Sequence, residues 1–254
     1  MGEYITDEGG ALSIIPVTKP YGAAAVEGQI GGVVPFQRSG NNDNVDTAFE
    51  TVWCRSSLYT YLTTASKLNI ISDSIQDAQN GTGARSVYIE GLDANYNVIY
   101  ETLSLHPTDG RIAVTSVKSY LRVFTVKADT PGSNDSNVGN ISIKNSDNSI
   151  TLAYIVSNQG RCLACIYTVP ADKTATILRW GYSELKAKIS GVALFIKPFE
   201  KSWYIEKFLY LKDVPGNDLF AIPIICTEKT DIEIRAWATG GAGQITATFE
   251  GYYK

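Results

Sequence analysis

Asp231-Ile232-Glu233-Ile234-Arg235-Ala236-Trp237-Ala238-Thr239-Gly240-Gly241-Ala242-Gly243-Gln244-Ile245-Thr246-Ala247-Thr248-Phe249-Glu250 is the stretch whose reading settles the fold class. Ile232, Ile234 and Ala236 alternate with Glu233, Arg235 and Trp237. Ile245, Ala247 and Phe249 alternate with Gln244, Thr246, Thr248 and Glu250. A period of two puts one set on each side of an extended chain, the pattern of a half-buried strand. Thr239 to Gly243 lies between the runs and supplies the positive φ of a tight turn. The stretch therefore predicts two strands joined as a β-hairpin.

The same period recurs upstream. Val87 and Ile89 oppose Tyr88 and Glu90, and Ile150, Leu152, Tyr154 and Val156 oppose Thr151, Ala153 and Ser157. Turn clusters such as Asn80-Gly81-Thr82-Gly83, Pro107-Thr108-Asp109-Gly110 and Pro215-Gly216-Asn217-Asp218 recur at the roughly 8–12-residue spacing of sandwiches and barrels. Helical patterning is weak. Leu58 to Ile75 is rich in Ser and Thr, which dilute any amphipathic face. The fold class that follows is all-β with little helix: an extended N-terminal arm followed by two β-sandwich or jelly-roll-like units. The predicted boundaries are residues 1–45 for the glycine-rich arm, 46–158 for the first sandwich and 159–254 for the second.

Composition narrows the function classes. The 254 residues carry 22 Lys and Arg against 26 Asp and Glu, a net charge of −4, and a single His. That balance gives no electrostatic reason for a nucleic-acid partner. Aromatic residues at 11% and hydrophobic residues at 44% are enough to build a core, which argues against disorder. The longest uninterrupted apolar run, Leu219 to Cys226, contains Pro223 and is far short of the roughly 18 residues of a membrane span, so no membrane partner is expected. The acidic start Met1 to Glu8 lacks the basic and apolar regions of a signal peptide, although it fits the loose Met-Gly-x-x-x-Thr acylation pattern.

Each candidate for chemistry has a plainer reading beside it. His106, in Leu105-His106-Pro107, is held extended at a strand end, and no Gly-x-Ser-x-Gly elbow accompanies it. Glu90 and Glu101 fall on consecutive predicted strands, where two acids can either flank a glycosidic bond or cover a solvated face. Gly81-Thr82-Gly83-Ala84-Arg85 looks like the opening of a dinucleotide fingerprint, but strand-like Ser86 to Glu90 follows where a helix is needed. Asn41 to Asp46 and Asn134 to Asn137 carry oxygen donors without the spacing of a calcium loop, and turn chemistry explains them. Asn80, Asn134 and Asn140 each open an Asn-x-Ser/Thr tripeptide, which has no meaning without secretion. Cys162-Leu163-Ala164-Cys165 has the C-x-x-C spacing, yet on a strand residues three apart point to opposite faces, so the thiols read as buried and reduced. No catalytic, metal or cofactor-binding residue is expected.

Two apolar groups remain as partner surfaces. Ile14, Ile15, Val17, Tyr21, Ile30, Val33, Val34 and Phe36 punctuate the arm, which can add strands to a neighbour or fold back over its own sandwich. Tyr204, Phe208 and Tyr210 share one predicted strand face, with Glu206 between them. Buried, that row is half of a core; exposed, it stacks sugars or docks a protein.

Several phrases resemble virion structural proteins of tailed bacteriophages, in particular cyanophage-like ones: Phe49-Glu50-Thr51-Val52-Trp53, Gly81 to Asp93, Tyr167-Thr168-Val169-Pro170-Ala171 and Ala247-Thr248-Phe249-Glu250-Gly251-Tyr252. The resemblance runs from about residue 48 to the end and rests on turn-and-strand phrases. It implies a non-enzymatic capsid cement or decoration protein, made in the host cytoplasm and located in the virion. Implied partners are the major capsid protein and copies of itself as a homotrimer. The alternative is a tail or head-fibre adhesin that binds host surface glycans.

Overall fold

The computed structural model describes residues 4–6, 12–14, 21–212 and 215–254. Alternation becomes strand along nearly the whole of it. A small antiparallel pair, β1 (Tyr4–Thr6) and β2 (Leu12–Ile14), precedes the one helix among the described residues, the six-residue α1 (Tyr21–Val26). Then come β3 (Val34–Val45), β4 (Glu50–Thr51), β5 (Ser66–Ser72), β6 (Ser86–Leu92), β7 (Val98–Ser104) and β8 (Val114–Tyr120). They are followed by β9 (Arg122–Ala128), β10 (Ile141–Asn145), β11 (Thr151–Ile155), β12 (Ile166–Thr168) and β13 (Ala175–Glu184). The chain ends with β14 (Ser190–Lys197), β15 (Tyr204–Leu211), β16 (Gly216–Cys226), β17 (Asp231–Ala238) and β18 (Gly243–Tyr253).

These strands form two sandwiches. In the first, the sheet β11-β10-β5-β8 lies across one core from β7-β6-β9. Leu68, Ile70, Ile141 and Ile143 from one sheet meet Val87, Ile89, Val123 and Val126 from the other. In the second, β12-β17-β14-β15, with β4 added beside β17, lies across from β16-β13-β18-β3. Val192, Leu194, Ile232 and Ile234 there meet Ile177, Trp180, Ile245 and Phe249. Each of these side chains is 2% exposed or less, so each contributes about 1.5–3 kcal/mol of burial. The chain is all-β.

The predicted hairpin is two strands that do not pair with each other. β17 hydrogen-bonds to β14 and β12, whereas β18 hydrogen-bonds to β13 and β3. Gly240, Gly241 and Ala242, at φ +73°, +68° and +56°, carry the chain across the core from one sheet to the other. The amides that a hairpin would pair internally go elsewhere: Ala238 N–H donates to Asp46 O and Thr239 N–H to Ile189 O. Alternation says which side of a strand faces the core. It is the same whether the next strand lies beside it or opposite it.

Residues 34–45 of the predicted arm are built into the second sandwich. β3 pairs with β18 along its length, from Val34 opposite Tyr253 to Val45 opposite Gly243. Phe36 and Val45 belong to that core. Gly40 sits where a Cβ would run into the Val52 carbonyl, so the two backbones can cross closely only there. Residues 34–52 and 165–254 therefore share one core, and Trp53 to Ile166 build the other. The first sandwich is an insertion in the second. Its chain enters and leaves side by side, with Trp53 and Ala164 bridged antiparallel.

Candidate functional site

The seam between the sandwiches is polar and paired. Arg122 of β9 meets Asp231 of β17 in a two-pronged ion pair, Nε to Oδ1 at 2.9 Å and Nη2 to Oδ2 at 3.1 Å. The guanidinium also donates to Leu62 O and Leu121 O at 2.9 and 3.0 Å, and Thr168 Oγ1 donates to Asp231 Oδ1 at 2.6 Å. Tyr61 and Tyr96 lie 4.9 and 5.7 Å from the guanidinium carbon. Burial pulls the Arg122 pKa down, and Asp231 outweighs it, leaving a net upward shift.

Beside it, Glu233 is fully buried and accepts hydrogen bonds from Arg235 at 3.0 Å, from Tyr61 Oη at 3.3 Å and from Thr51 Oγ1. Burial pushes its carboxyl above the ordinary carboxylate value, against the pull of Arg235, Thr51 and Tyr61. The folded chain thus holds this proton more tightly than the unfolded chain. Its contribution to stability falls as pH rises from about 4.5 through the raised value, and stays low above it. Glu233→Gln is expected to flatten this slope, so that the variant gains on the wild type as pH rises. Urea midpoints from about pH 4 to about pH 8 measure it; parallel curves would refute the assignment.

A third contact at the seam is Arg38 of β3. Its guanidinium carbon lies 5.1 Å from the rings of both Phe124 and Tyr167, and Nη1 donates to Thr125 Oγ1 at 3.1 Å. Glu90 lines the same cleft of about 190 Å³. Burial lowers the Arg38 pKa.

The structure disperses the catalytic candidates. In the β6–β7 register Glu101 stands opposite Ile89 and Glu90 opposite Tyr100, so the two acids point to opposite faces. Glu101 instead accepts from the Val117 and Lys118 amides of β8, tying the two sheets of the first sandwich together. His106 Nδ1 accepts from Asp109 N–H at 3.3 Å and closes its turn. The glycines at 81–83 wrap Asp77, a buried carboxylate that accepts from the amides of Ala84, Val138 and Gly139 and from Ser72 Oγ. No sequence pattern marks Asp77, because its donors come from three separate segments. The first Asn/Asp-rich cluster is not the predicted turn but the end of β3, where Asn42 is buried and donates to Glu50 and to Thr51 O. Among the described residues no group of three or more His, Cys, Asp or Glu is placed to hold a metal ion. No helix among them is long and apolar enough to cross a membrane.

The C-x-x-C thiols are separated, although not by the predicted strand: the segment is irregular and β12 begins only at Ile166. Cys165 is buried against Ala247 O, at 3.0 Å. Cys162 is half-buried and meets Cys54, a partner 108 positions away (162 minus 54) that no local motif indicates.

The predicted aromatic row is rearranged by a β-bulge. The β14–β15 register shifts between Leu194 and Phe195, leaving Glu206 unpaired. Phe208 and Tyr210, opposite Ala193 and Gly191, stay on one face, and Ile205, opposite Phe195, joins them. Tyr204, opposite Ile196, moves to the other face. Phe208 packs on Phe49 and on Tyr210, and Tyr210 on Trp237. This face lies outside the sandwich core, and Tyr210 is 71% exposed.

The following strand, at the edge of the opposite sheet, carries a second apolar surface. Between Leu219 opposite Arg179 and Ile224 opposite Ile177, β16 carries four residues against one, so Phe220 to Pro223 bulge outward. Ile222 is 85% exposed and Leu219 75%. Pro223 removes an amide from this edge and keeps it from templating another strand. Leu219 also borders a groove of about 770 Å³ that runs past Val26, Pro35 and Leu178. Of the arm residues, Ile30 packs with Ala24 and Ala25 in a small cluster that Val33 flanks, Phe36 is core and Val34 is exposed at a strand start. Ile14 ends β2 and Tyr21 begins α1; Ile15 and Val17 lie outside the described residues.

No family model matches this chain, and no curated protein matches it. Solved structures with some likeness include infectious bursal disease virus of the Gt strain, 7% identical over 89% of this chain and 76% of that one, at a TM-score of 0.18. The VP2 subviral particle of the same virus is 8% identical over 87% and 76%, at a TM-score of 0.17. Superpositions this poor carry no argument about the chain, whose fold class rests on its own sheets.

Proposed function

We propose that this chain is a non-enzymatic virion structural protein of the capsid cement or decoration type. It binds the outer capsid surface and clamps neighbouring capsomers against the outward force of packaged DNA. The major capsid protein and two further copies of this chain are its partners. One observation carries the reading: Leu219, Ile222 and Ile225 stand 62–85% exposed along a single edge strand, β16, where large apolar side chains held in water mark a docking surface. The sequence phrases shared with phage virion proteins set its direction. The paired seam suits a clamp, because a load-bearing part must not flex between its halves.

Co-sedimentation with capsids stripped of this protein tests it. The wild type is expected to pellet with them, and Ile222→Asp to bind at least about tenfold more weakly with an unchanged unfolding midpoint, since burying one unpaired carboxylate costs more than 1.4 kcal/mol. Absence of the chain from purified virions by mass spectrometry would refute the reading. The exposed Tyr210 beside Trp237 favours one rival, a glycan-binding adhesin. That rival requires glycan capture which Tyr210→Ala abolishes and Ile222→Asp leaves intact.

A further inference from the structure

We propose that Cys54 and Cys162 form a redox-active thiol pair that closes to a disulfide and staples the neck of the inserted sandwich. The chain enters that sandwich at Trp53 and leaves it at Ala164, and these residues are bridged. Cys54 follows the one and Cys162 shortly precedes the other. Both sulfurs converge on Tyr154 of β11. The Cys54 thiol donates to its carbonyl at 3.0 Å, and the Cys162 sulfur meets its amide. The N–H and C=O of one strand residue point to the same side, so both sulfurs lie on one edge of β11, the edge opposite β10. There the two thiols hydrogen-bond to each other.

The pair is also polarised and reachable. Its mutual hydrogen bond, with burial, pushes the Cys54 thiol up. The same bond draws Cys162 down, helped by the Tyr154 amide and by Arg161. Whichever of the two opens the exchange as thiolate, its neighbour is the resolving thiol. A surface pocket of about 350 Å³, lined by Cys54, Arg55, Ser56, Ser57 and Tyr154, admits an oxidant. Cys165 and Cys226 are buried and do not compete.

With a small disulfide such as oxidised glutathione, one cysteine thiolate of the pair attacks one sulfur and expels the first glutathione thiolate. The other cysteine's thiolate then attacks the sulfur that carries the adduct, the protein S–S bond forms, and the second glutathione leaves. The two cysteine protons end on the two released thiols. Two protein thiols are oxidised and one glutathione disulfide is reduced. This inference does not depend on the capsid reading, and either can fail alone.

The test uses the full chain and oxidised glutathione, read by intact mass, peptide mapping without reductant, and thermal unfolding. A loss of about 2 Da, a peptide joining Cys54 to Cys162, and an unfolding midpoint raised by about 5 °C or more are expected, because the bond closes a loop of more than a hundred residues. Dithiothreitol reverses all three. Cys54→Ser is expected to stop at a single glutathione adduct on Cys162 with no gain in midpoint. Stable glutathione adducts on the wild type, a bond to Cys165 or Cys226, or four thiols surviving the oxidant would each overturn the proposal.

Discussion

Deleting residues 1–45 is expected to leave a chain that cannot fold its second sandwich, whereas deleting residues 1–20 is expected to move the unfolding midpoint by less than about 2 °C. β1 and β2 form a two-stranded sheet of their own, paired with no other described strand. The longer deletion takes away β3. Phe36 and Val45 then leave the core, at a cost of about 3–6 kcal/mol in burial alone. β18 loses every backbone partner from Gly243 to Tyr253 on that side and becomes a long bare edge. Whole-domain stabilities are about 5–15 kcal/mol, so the sum is large enough to unfold the unit or drive it to aggregate. Circular dichroism and thermal melting of the two truncations decide the matter. A cooperative melt near the wild-type midpoint after removal of residues 1–45 would show that β3 is dispensable. Any capsid-binding assay of an arm deletion should accordingly stop at residue 20.

Breaking the Arg122–Asp231 pair should be the most damaging single side-chain change at the seam. Arg122→Ala leaves Asp231, whose side chain is 5% exposed, facing Thr168 without its counter-charge. Removing one partner of a buried pair costs about 3–5 kcal/mol, which for a chain of this size lowers the melting midpoint by about 6–20 °C. The Leu62 and Leu121 carbonyls lose their donor at the same time. The double change to Ala at Arg122 and Asp231 is expected to cost less than the two single changes added, since it leaves no orphaned charge. Urea unfolding of the three variants reads all of this. Because the pair joins β9 of one sandwich to β17 of the other, Arg122→Ala is also expected to split one transition into two. A loss below about 1 kcal/mol would demote the pair to an ordinary surface bridge.

Local chemistry carried the class of this fold. Period-two alternation in 150–157 and 231–250 places strands wherever one side is apolar, and glycine- and asparagine-rich clusters mark where they stop, because both signals depend on residues a few positions apart. Partnership depends on residues that sequence distance separates, and there the reading diverged. Thr239 to Gly243 is the left-handed turn that its glycines predict, yet it closes no hairpin, since two walls of one core alternate just as two neighbours in one sheet do. β3 was hidden because Gln37 to Asn44 is polar and glycine-bearing, and only its seat beside β18 makes a strand of it. A bulge at Glu206, set by what β14 offers opposite it, moved Tyr204 away from Phe208 and Tyr210. The seam and the thiol pair are the extreme cases. Arg122 and Asp231 stand 109 positions apart, and Cys54 and Cys162 nearly as far, so burial and the crossing of chain segments alone give them their partners.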